Sequence, residues 1–217
     1  MYKKKFFFIV FEGIEGSGKS FQSKKLYNSI KKIIPNVVLT REPGGTKAAE
    51  EIRKLILKDY FENGNKNQLD KYTDTLLYLA ARNEHVKKLI LPSKSKEKIV
   101  ICDRFIDSTI AYQVFGKGVN SSFIKQIHGH ILNNIRPDLT FVLKVKIKKA
   151  INRLKKRKNK NRYDKFSKSF YLKAQSGFIK IAKKNRNKYF IFDNSYDDKN
   201  LEKKILNIVL KRVKYKL

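Results

Sequence analysis

The sequence predicts an α/β fold in which an open parallel sheet is covered by helices on both faces. Five short apolar runs are predicted to be strands: Phe6–Glu12, Asn36–Thr40, Ile99–Asp103, Leu139–Val145 and Lys188–Asp193. They are nearly continuous hydrophobic blocks, as expected of parallel strands that are buried on both faces. Helical patterns separate or follow them: Lys19–Ile33, Thr46–Leu57, Leu69–Leu91, Ser121–Asn133, Lys165–Lys184 and Lys199–Val213. This alternation of strands and helices indicates the α/β class.

The 217 residues are enough for one compact domain, and no internal repeat or second domain is evident. Glu12 and Gly13 interrupt the apolar run near the start before any signal-peptide cleavage site. No stretch approaches the ~18 apolar residues that cross a bilayer, so we expect no membrane association. The only cysteine is Cys102, which excludes an intrachain disulfide and fits a reducing cytoplasm.

The formal net charge of +32 comes from 41 lysines and 10 arginines against 19 acidic residues. Such a charge is compatible with nucleic-acid binding, and it also attracts polyanionic nucleotides. Abundant Asn, Ile, Phe and Tyr accompany the lysines, which indicates a coding bias that spreads cations over every solvated face. A dedicated nucleic-acid surface would more often concentrate arginine and aromatic residues in one patch. We therefore expect no specific nucleic-acid partner.

A phosphate-binding loop is the clearest motif, and it consists of Gly13, Ile14, Glu15, Gly16, Ser17, Gly18, Lys19 and Ser20. This run matches G-x-x-x-x-G-K-[ST] at every fixed position, with a strand before it and a helix after it. Its glycines let backbone N–H groups surround a phosphate at the positive end of the following helix. All eight residues are predicted to bind ATP. Lys19 is expected to act on the β- and γ-phosphates, and the Ser20 hydroxyl to ligate Mg²⁺.

GTPases, motor ATPases and small-molecule kinases all use such a P-loop. The chain is short, and it lacks the Asn-Lys-x-Asp sequence of GTPases. Asn-Lys pairs do occur, as at Asn159 and Lys160, but not at a strand end with Asp following. The remaining classes are mainly nucleotide and metabolite kinases.

Residues for a second substrate are expected where strands end, because open α/β sheets bind ligands at that edge. Arg41 lies in Thr40–Thr46 (T-R-E-P-G-G-T), after the second strand, where it could grip an acceptor phosphate with two hydrogen bonds. Asp103 and Arg104 end the third strand. Asp103 could reach the metal or its water, and Arg104 could add charge beside the transferring phosphoryl group. The alternatives are a simple turn with an exposed arginine and a surface ion pair.

Within the long third helix, Tyr78 and Arg82 are one turn apart and share a face. An aromatic ring and a guanidinium on one face could sandwich a nucleobase and hydrogen-bond to it. A stripe of Tyr and Leu is also typical of a helix that packs against the core, so both interpretations stay open on the pattern alone.

Several motifs together resemble bacterial thymidylate kinases in their order and spacing. They are Glu12–Ser20 (E-G-I-E-G-S-G-K-S), Thr40–Thr46, Ala80–Arg82, Asp103–Phe105 with Ser108, Ala111–Gln113 and Arg136–Thr140. The R-E-P-G-G-T block is much more specific than a P-loop, and the resemblance spans roughly Phe8 to Asp193. It implies the P-loop nucleoside-monophosphate-kinase fold with five parallel strands, a homodimer, and Mg²⁺-dependent transfer of the ATP γ-phosphoryl group to dTMP, giving dTDP and ADP.

The resemblance also implies which residues bind dTMP: Glu15, Arg41, Tyr78, Arg82, Arg104, Ser108, Tyr112 and Gln113. Glu15 matches an acid that contacts the sugar hydroxyl, and Arg41 and Arg104 match the pair that holds the phosphate. Tyr78 stands where the family usually stacks a Phe on thymine, and Arg82 matches the arginine that bonds the base. Tyr112 and Gln113 match residues that line the deoxyribose and base pocket.

A basic run at Arg153–Arg162 is expected to be a mobile lid, at about residues 150–166, that closes over ATP. Some family members supply an arginine from the P-loop, but that position is Gly16 here. Arg153, Arg157 and Arg162 are therefore the candidate catalytic cations beside Lys19 and Arg104, with Arg153 and Arg157 predicted to share a helical face. A merely solvated basic run is the alternative.

Four residues depart from the family pattern. Lys144 and Lys149 replace acids that are common near the fourth strand. Asp164 is one methylene shorter than the usual lid Glu, and Val114 replaces a frequent glycine.

Two other functions remain possible on the sequence. One is a kinase for another nucleoside monophosphate, which the acceptor motifs disfavour. The other is a basic P-loop ATPase that acts on nucleic acid.

Overall fold

The central element is a sheet of five parallel strands in the order β2-β5-β1-β6-β7. Its strands are β1 (Phe7–Glu12), β2 (Val37–Arg41), β5 (Ile99–Asp103), β6 (Leu139–Lys144) and β7 (Tyr189–Asp193), and a two-stranded hairpin adds β3 (Phe61–Glu62) and β4 (Asn65–Lys66). The structure, a computed structural model, describes residues 5–58, 61–62, 65–66, 69–158, 161–198 and 200–215. The five predicted strands are confirmed to within one residue at each end. The polar, turn-rich composition of Glu62–Gln68 predicts a surface loop. The described part of that segment belongs to the β3–β4 hairpin, and the rest lies outside the described residues.

The helices are α1 (Lys19–Ile33), α2 (Lys47–Leu57), α3 (Lys71–His85), α4 (Leu91–Ser95), α5 (Ile106–Thr109), α6 (Ser121–Ile131), α7 (Ile147–Lys155), α8 (Lys168–Lys184) and α9 (Leu201–Tyr215). π-helical turns continue α3 over Val86–Ile90 and α5 over Ile110–Gly116. A 3₁₀ turn spans Arg162–Lys165. The long helix predicted at Leu69–Leu91 is thus confirmed in position, with its last turns wound as a π-helix.

Side-chain caps fix several helix starts where the sequence predicts them. Thr46 caps α2 by accepting a hydrogen bond from the backbone of Ala49, and Asp70 caps α3. Asn120 and Ser167 do the same for α6 and α8. Such caps satisfy N–H groups that have no partner within the helix.

Two helical layers cover the sheet. Alternate residues of β1 point to opposite faces: Phe7, Ile9 and Phe11 pack with α1 and α9, while Phe8 and Val10 pack beneath the α3 π-turn and α6. A further cluster joins α7 and α8 to the π-turn after α5. Because β1 is central and wholly buried, its carboxyl end delivers the P-loop to a fixed point above the sheet.

Three of the described helices were not predicted, and the first is α4, which extends beyond the helix predicted at Leu69–Leu91. The α5 helix with its π-turn follows β5, and α7 lies in the segment before and within the basic run. Within the part of the chain that the structure describes, none of the helices combines the length and apolar character needed to cross a membrane.

Candidate active site

The P-loop wraps tightly between β1 and α1, and two of its glycines are sterically required. Gly18 caps α1 with a φ of 89°, and a Cβ there would lie 2.4 Å from Asn194 Nδ2. Gly16 has a φ of 72°, and a Cβ there would lie 2.7 Å from the carbonyl oxygen of Ala150 in α7. Left-handed backbone favours glycine, and these close approaches add a second reason. The loop therefore packs directly against α7.

Lys19 is almost completely buried at the start of α1, and its Nζ donates to the carbonyl oxygen of Ile14 over 3.1 Å. Burial, and then the charge of Arg104, lower the pKa of Lys19 to about 8. A buried ammonium with one weak backbone partner is well placed to gain energy from an incoming phosphate.

Ser20 and Asp103, the predicted metal ligands, contact each other at the start of α1 and the end of β5. The Ser20 hydroxyl donates to Asp103 Oδ2, while Asp103 Oδ1 is buried and makes no hydrogen bond. Within the described residues, no group of three or more His, Cys, Asp or Glu side chains is arranged to hold a metal ion. A hydroxyl, an unsatisfied carboxylate oxygen and few other protein ligands fit Mg²⁺, which is commonly bound by one or two carboxylates plus phosphates and water.

Two cavities meet at the P-loop. The first, here called the acceptor cavity, lies over β2 and β5 and is lined by all eight residues predicted to bind dTMP. The second, the donor cavity, lies between the P-loop, α7 and the 194–198 segment. Among the described residues, three line both cavities: Lys19, Ser20 and Arg157. A group moving from one cavity to the other would pass these three side chains.

Arg104 anchors the floor of the acceptor cavity. Its backbone has a φ of 75°, and its guanidinium donates to the Gly13 carbonyl over 2.9 Å and to Ser108 Oγ over 3.0 Å. It also forms a 2.7 Å ion pair with Glu15, whose other oxygen accepts the Tyr112 hydroxyl. Burial raises the pKa of Glu15, but the charges of Arg104 and Lys19 outweigh it and the pKa is lowered. Glu15 is therefore an ionised acceptor at the cavity wall.

Arg41 of β2 and Tyr78 of α3 both line the acceptor cavity. Arg41 at the end of β2 is exposed and pairs with Glu50 of α2 over 3.0 Å. The Tyr78 ring meets that of Tyr163 edge to face, with centroids 6.2 Å apart. Gln113 is buried, and its amide donates to Asp74 over 3.3 Å. An exposed arginine, an aromatic face and a buried amide offer distinct contacts to phosphate and base.

Arg82 reaches the acceptor cavity, but its guanidinium is already held by the protein. It bonds to Glu42, Thr109, His128 and the Phe105 carbonyl, each over 2.8 Å, and it is 2% exposed. Tyr78 and Arg82, which were predicted to share a helical face, both line this cavity. Contact of Arg82 with a base stays a prediction.

The partners of Arg82 were missed in the sequence. Glu42 accepts from Arg82 with one oxygen and contacts His85 Nδ1 with the other, and His85 Nε2 lies 2.8 Å from Thr40 Oγ1. Burial raises the pKa of Glu42, but Arg82 and His85 overcome it and lower the pKa. The one available signal was that His85 falls one turn after Arg82 in α3. Pairing with Glu42, 40 residues away, is not readable from spacing.

Glu12 was quoted only as part of a motif, yet it holds the turn that carries Arg104. Its carboxylate accepts from the backbone of Phe105 over 2.8 Å and from the Ser108 hydroxyl over 2.6 Å. Burial, and then the neighbouring Asp107, raise the pKa of Glu12 to about 7. Its position directly before Gly13 was the signal that sequence analysis left unused.

The basic run does more packing than its composition predicts. Leu154 in α7 and Tyr163 in the 3₁₀ turn are buried. The expectation that Arg153 and Arg157 share a helical face is wrong, because α7 ends at Lys155 and the backbone turns there. Residues 159–160 lie outside the described part of the chain, and mobility of the lid stays a prediction.

The three lid arginines occupy different places. Arg153 donates to the Gly16 carbonyl over 2.6 Å, to the Asn194 carbonyl over 2.9 Å and to Asp197, so it ties α7 to the P-loop. Arg157 pairs with Asp164 over 3.0 Å and lies at the junction of the two cavities. Arg162 is buried against Asp74 and lines neither cavity among the described residues.

Two of the unusual lysines have acidic partners close by. Lys144 lies 3.3 Å from Asp193, its register partner on β7, and Lys149 lies 2.9 Å from Asp197. Lysines thus replace the acids that the family commonly has near β6, and the acidic partners of these lysines lie on and after β7. Asp164 still closes a capping box, by accepting from the backbone of Asn161 over 2.9 Å.

The chain was compared with known proteins and families. A family model described as thymidylate kinase matches residues 11–205. A thymidylate kinase of Wolbachia pipientis wMel is 48% identical over 177 residues, covering 81% of this chain and 84% of the relative. A thymidylate kinase of Wolbachia pipientis subsp. Culex pipiens (strain wPip) is 43% identical over 211 residues, covering 95% of this chain and 97% of the relative.

A solved structure agrees with the sequence relatives. The crystal structure of thymidylate kinase from Ehrlichia chaffeensis superposes with a TM-score of 0.74 at 36% identity, covering 94% of this chain and 99% of that one. The chain belongs to the thymidylate kinase family.

Proposed function

We propose that this chain transfers the γ-phosphoryl group of ATP to dTMP, forming dTDP and ADP. The observation that carries this proposal is the meeting of two cavities at Lys19, Ser20 and Arg157, with all eight predicted dTMP residues in one cavity. Phosphoryl transfer needs two nucleotides in line and positive charge between them. Two cavities that meet at a buried lysine and an arginine support such an arrangement.

In the acceptor cavity, Arg41 and Arg104 bind the dTMP phosphate, and Glu15 and Tyr112 meet the sugar. Tyr78 stacks on the thymine ring, while Ser108, Arg82 and Gln113 complete the pocket wall. Arg104 is held on Glu15 and Ser108 before any ligand arrives. Such preorganised charge need not reorganise during the reaction.

In the donor cavity, backbone N–H groups of Gly13–Ser20 surround the ATP phosphates, and Lys19 contacts the β- and γ-phosphates. Lys19 and Arg157 stabilise the charge that spreads over the phosphoryl oxygens during transfer. Ser20 and Asp103 would hold Mg²⁺, which would supply neutralisation of phosphate charge. Arg153 keeps α7 on the P-loop, so that the donor cavity retains its shape.

The decisive experiment is a coupled assay that measures ADP formation with ATP, Mg²⁺ and each nucleoside monophosphate in turn. We expect dTMP to give the highest kcat/KM and the folded Lys19→Met variant to be inactive. If another monophosphate were clearly preferred, the chain would be a kinase of that acceptor instead.

A nucleic-acid ATPase is the alternative from a different class. We propose that the +32 charge is largely compositional, so duplex DNA should bind weakly, without sequence preference, and be released as salt increases. ATP turnover stimulated by DNA in the absence of dTMP would favour the alternative.

The chain is also proposed to form a homodimer in the cytoplasm. Leu55 of α2 and Tyr72 and Leu76 of α3 are exposed apolar side chains on two packed helices, which supports a self-association face there. Cys102 is free and buried, as suits a reducing compartment. Sedimentation of the protein and of Leu76→Glu tests the dimer, because a buried carboxylate in that face should yield monomers.

A further inference from the structure

Asp74, in the first turn of α3, is a completely buried carboxylate that nothing above assigns a role. Four donors surround it. Lys117 Nζ lies 2.6 Å and Gln113 Nε2 3.3 Å from Oδ2, the Tyr163 hydroxyl lies 3.4 Å from Oδ2, and Arg162 contacts Oδ1. Two of these donors belong to the lid and two to the body of the domain.

The two pairs of donors differ in what happens if the lid moves away. Gln113 lies within the π-turn after α5 and Lys117 directly follows it, so both would stay with Asp74. An unpaired buried carboxylate would be strongly destabilising, but Lys117 keeps Asp74 neutralised when Arg162 leaves. Arg162 itself could regain water. The contact between Asp74 and the lid can therefore break and form again without leaving a buried charge alone.

A short chain of contacts connects Asp74 to the junction of the cavities. Arg162 and Asp164 lie in the same 3₁₀ turn, and Asp164 closes the capping box that shapes it. Asp164 also accepts from Arg157 over 3.0 Å. At the other end of the lid, Arg153 is fixed to the Gly16 carbonyl. Arg157 therefore lies between two anchors, one on the P-loop and one on Asp74.

We propose that Asp74 is the docking carboxylate of the lid and a positioning residue for transfer, because it holds Arg162 and thereby places Arg157 between the two cavities. This inference rests on the proposed phosphoryl transfer. It gives Arg162 a role different from that of a catalytic cation: Arg162 acts through Asp74, and Arg157 alone among the lid arginines faces both nucleotides. The same docking places Tyr163 beside Tyr78. The wall of the acceptor cavity is therefore complete only when the lid is docked.

The test is a double-mutant cycle of Asp74→Asn and Arg162→Gln, with kcat and both KM values measured at saturating Mg²⁺. We expect each single variant to lower kcat by about 5- to 150-fold, the range typical of a conformational coupling. The KM values for ATP and dTMP should change much less, because ground-state contacts remain. The double variant should be no slower than the worse single one, since both remove the same interaction. Arg162→Lys, which keeps a cation opposite Asp74, should restore part of the rate.

Lid position is measured separately with a fluorophore on Lys158→Cys, which labels selectively because the native Cys102 is buried. ATP with dTMP should quench or shift the label in the otherwise unchanged protein and fail to do so when Asp74→Asn is added. Lys155→Ala, which removes an exposed cation of the same segment, is the matched control and should leave kcat unchanged.

Independent effects of the two variants on kcat, or loss of stability with an unchanged kcat, would show that Asp74 only supports the fold. If Asp74→Asn failed to fold, Arg162→Gln against Arg162→Lys would decide the question from the lid side. Wild-type activity on dTMP together with a normal kcat in Arg162→Gln would overturn this inference and leave the proposed function standing. An inactive wild-type protein would instead contradict the proposed function itself.

Discussion

The acceptor and donor cavities are built from arginines in opposite ways. On the acceptor side, the ion pairs of Arg82 with Glu42 and of Arg104 with Glu15 are buried, with side chains 2–3% and 14% exposed. On the donor side, Arg153 and Lys149 share Asp197, whose side chain is 61% exposed. The two buried acceptor-side pairs are thus fixed by folding, although Arg41 pairs with Glu50 in an exposed position. On the donor side, the acidic partner that Arg153 and Lys149 share is itself exposed to solvent.

This difference suggests a division of labour. Buried pairs hold geometry, because breaking one leaves an uncompensated charge in a poorly solvated place. Exposed pairs contribute little to stability, and salt or ligand can exchange them. We therefore expect changes on the donor side to affect rate and changes on the acceptor side to affect folding or dTMP affinity.

The largest expected effect is on the rate, at the boundary of the two cavities. Arg157→Ala should lower kcat by roughly 10³–10⁵, the range known for arginines that stabilise phosphoryl transfer. The KM for dTMP should change far less. Arg41→Ala should show the opposite emphasis, because its partner is a phosphate already present in the ground state. If steady-state kinetics showed that both variants raise the KM for dTMP equally, the comparison between the two cavities would be contradicted.

The next effect concerns stability. Arg82→Met should destabilise the fold by about 3–5 kcal/mol, since Glu42 would lose its buried counter-ion. Lys149→Met should cost less than about 1 kcal/mol, as is usual for an exposed pair. Urea unfolding of both variants measures the contrast. Equal losses would show that burial does not separate the two sides.

Tyr78→Ala sharpens the comparison through affinity. It should weaken dTMP binding by roughly 1–3 kcal/mol, by analogy with stacking of bases on aromatic side chains. ATP binding should hardly change, because Tyr78 lines the acceptor cavity and not the donor cavity. Calorimetry with each nucleotide would assign Tyr78 to the core if both affinities fell equally.

The smallest effect is a proton linkage at Lys19, whose pKa is lowered to about 8 in the free protein. ATP phosphates favour the charged ammonium, so binding raises this pKa and takes up a proton near pH 8. The association constant should fall as pH rises through 8, by at most about tenfold per pH unit. Calorimetry in buffers of different ionisation enthalpy detects the uptake. Its persistence in Lys19→Met would assign the proton to another group.

Much of this site could be predicted because its signals are local. The P-loop, the five strands and α1 each follow from a short run whose own pattern is complete, such as the buried block before Gly13. Ser20 was predicted from the P-loop motif and Asp103 from its place at a strand end, and the two side chains contact each other. The eight residues predicted to bind dTMP came from motifs that resemble thymidylate kinases, and all eight line the acceptor cavity.

The parts that could not be predicted depend on distant partners. Arg162 finds Asp74 at a separation of 88 residues, and nothing in either local sequence signals the other. The α7 helix was hidden because lysines surround its buried positions Ile147, Ala150 and Leu154. Their spacing is helical, but the charge run dominated the pattern. Because the end of α7 at Lys155 was not predicted, the spacing of Arg153 and Arg157 was wrongly interpreted as a shared helical face.

The contact between Gly16 and Ala150 also restricts how this enzyme could evolve. An arginine at position 16 would meet the α7 backbone before it reached a phosphate, so the P-loop cannot acquire its own catalytic arginine by a single substitution. A lineage moving between the two arrangements would first have to displace α7, and with it the anchor at Arg153. Intermediates on that route would have neither an arginine in the P-loop nor the Arg153 anchor of α7. The proposed supply of catalytic charge from the lid is thus tied to a close approach of the Gly16 and Ala150 backbones that leaves no room for a side chain.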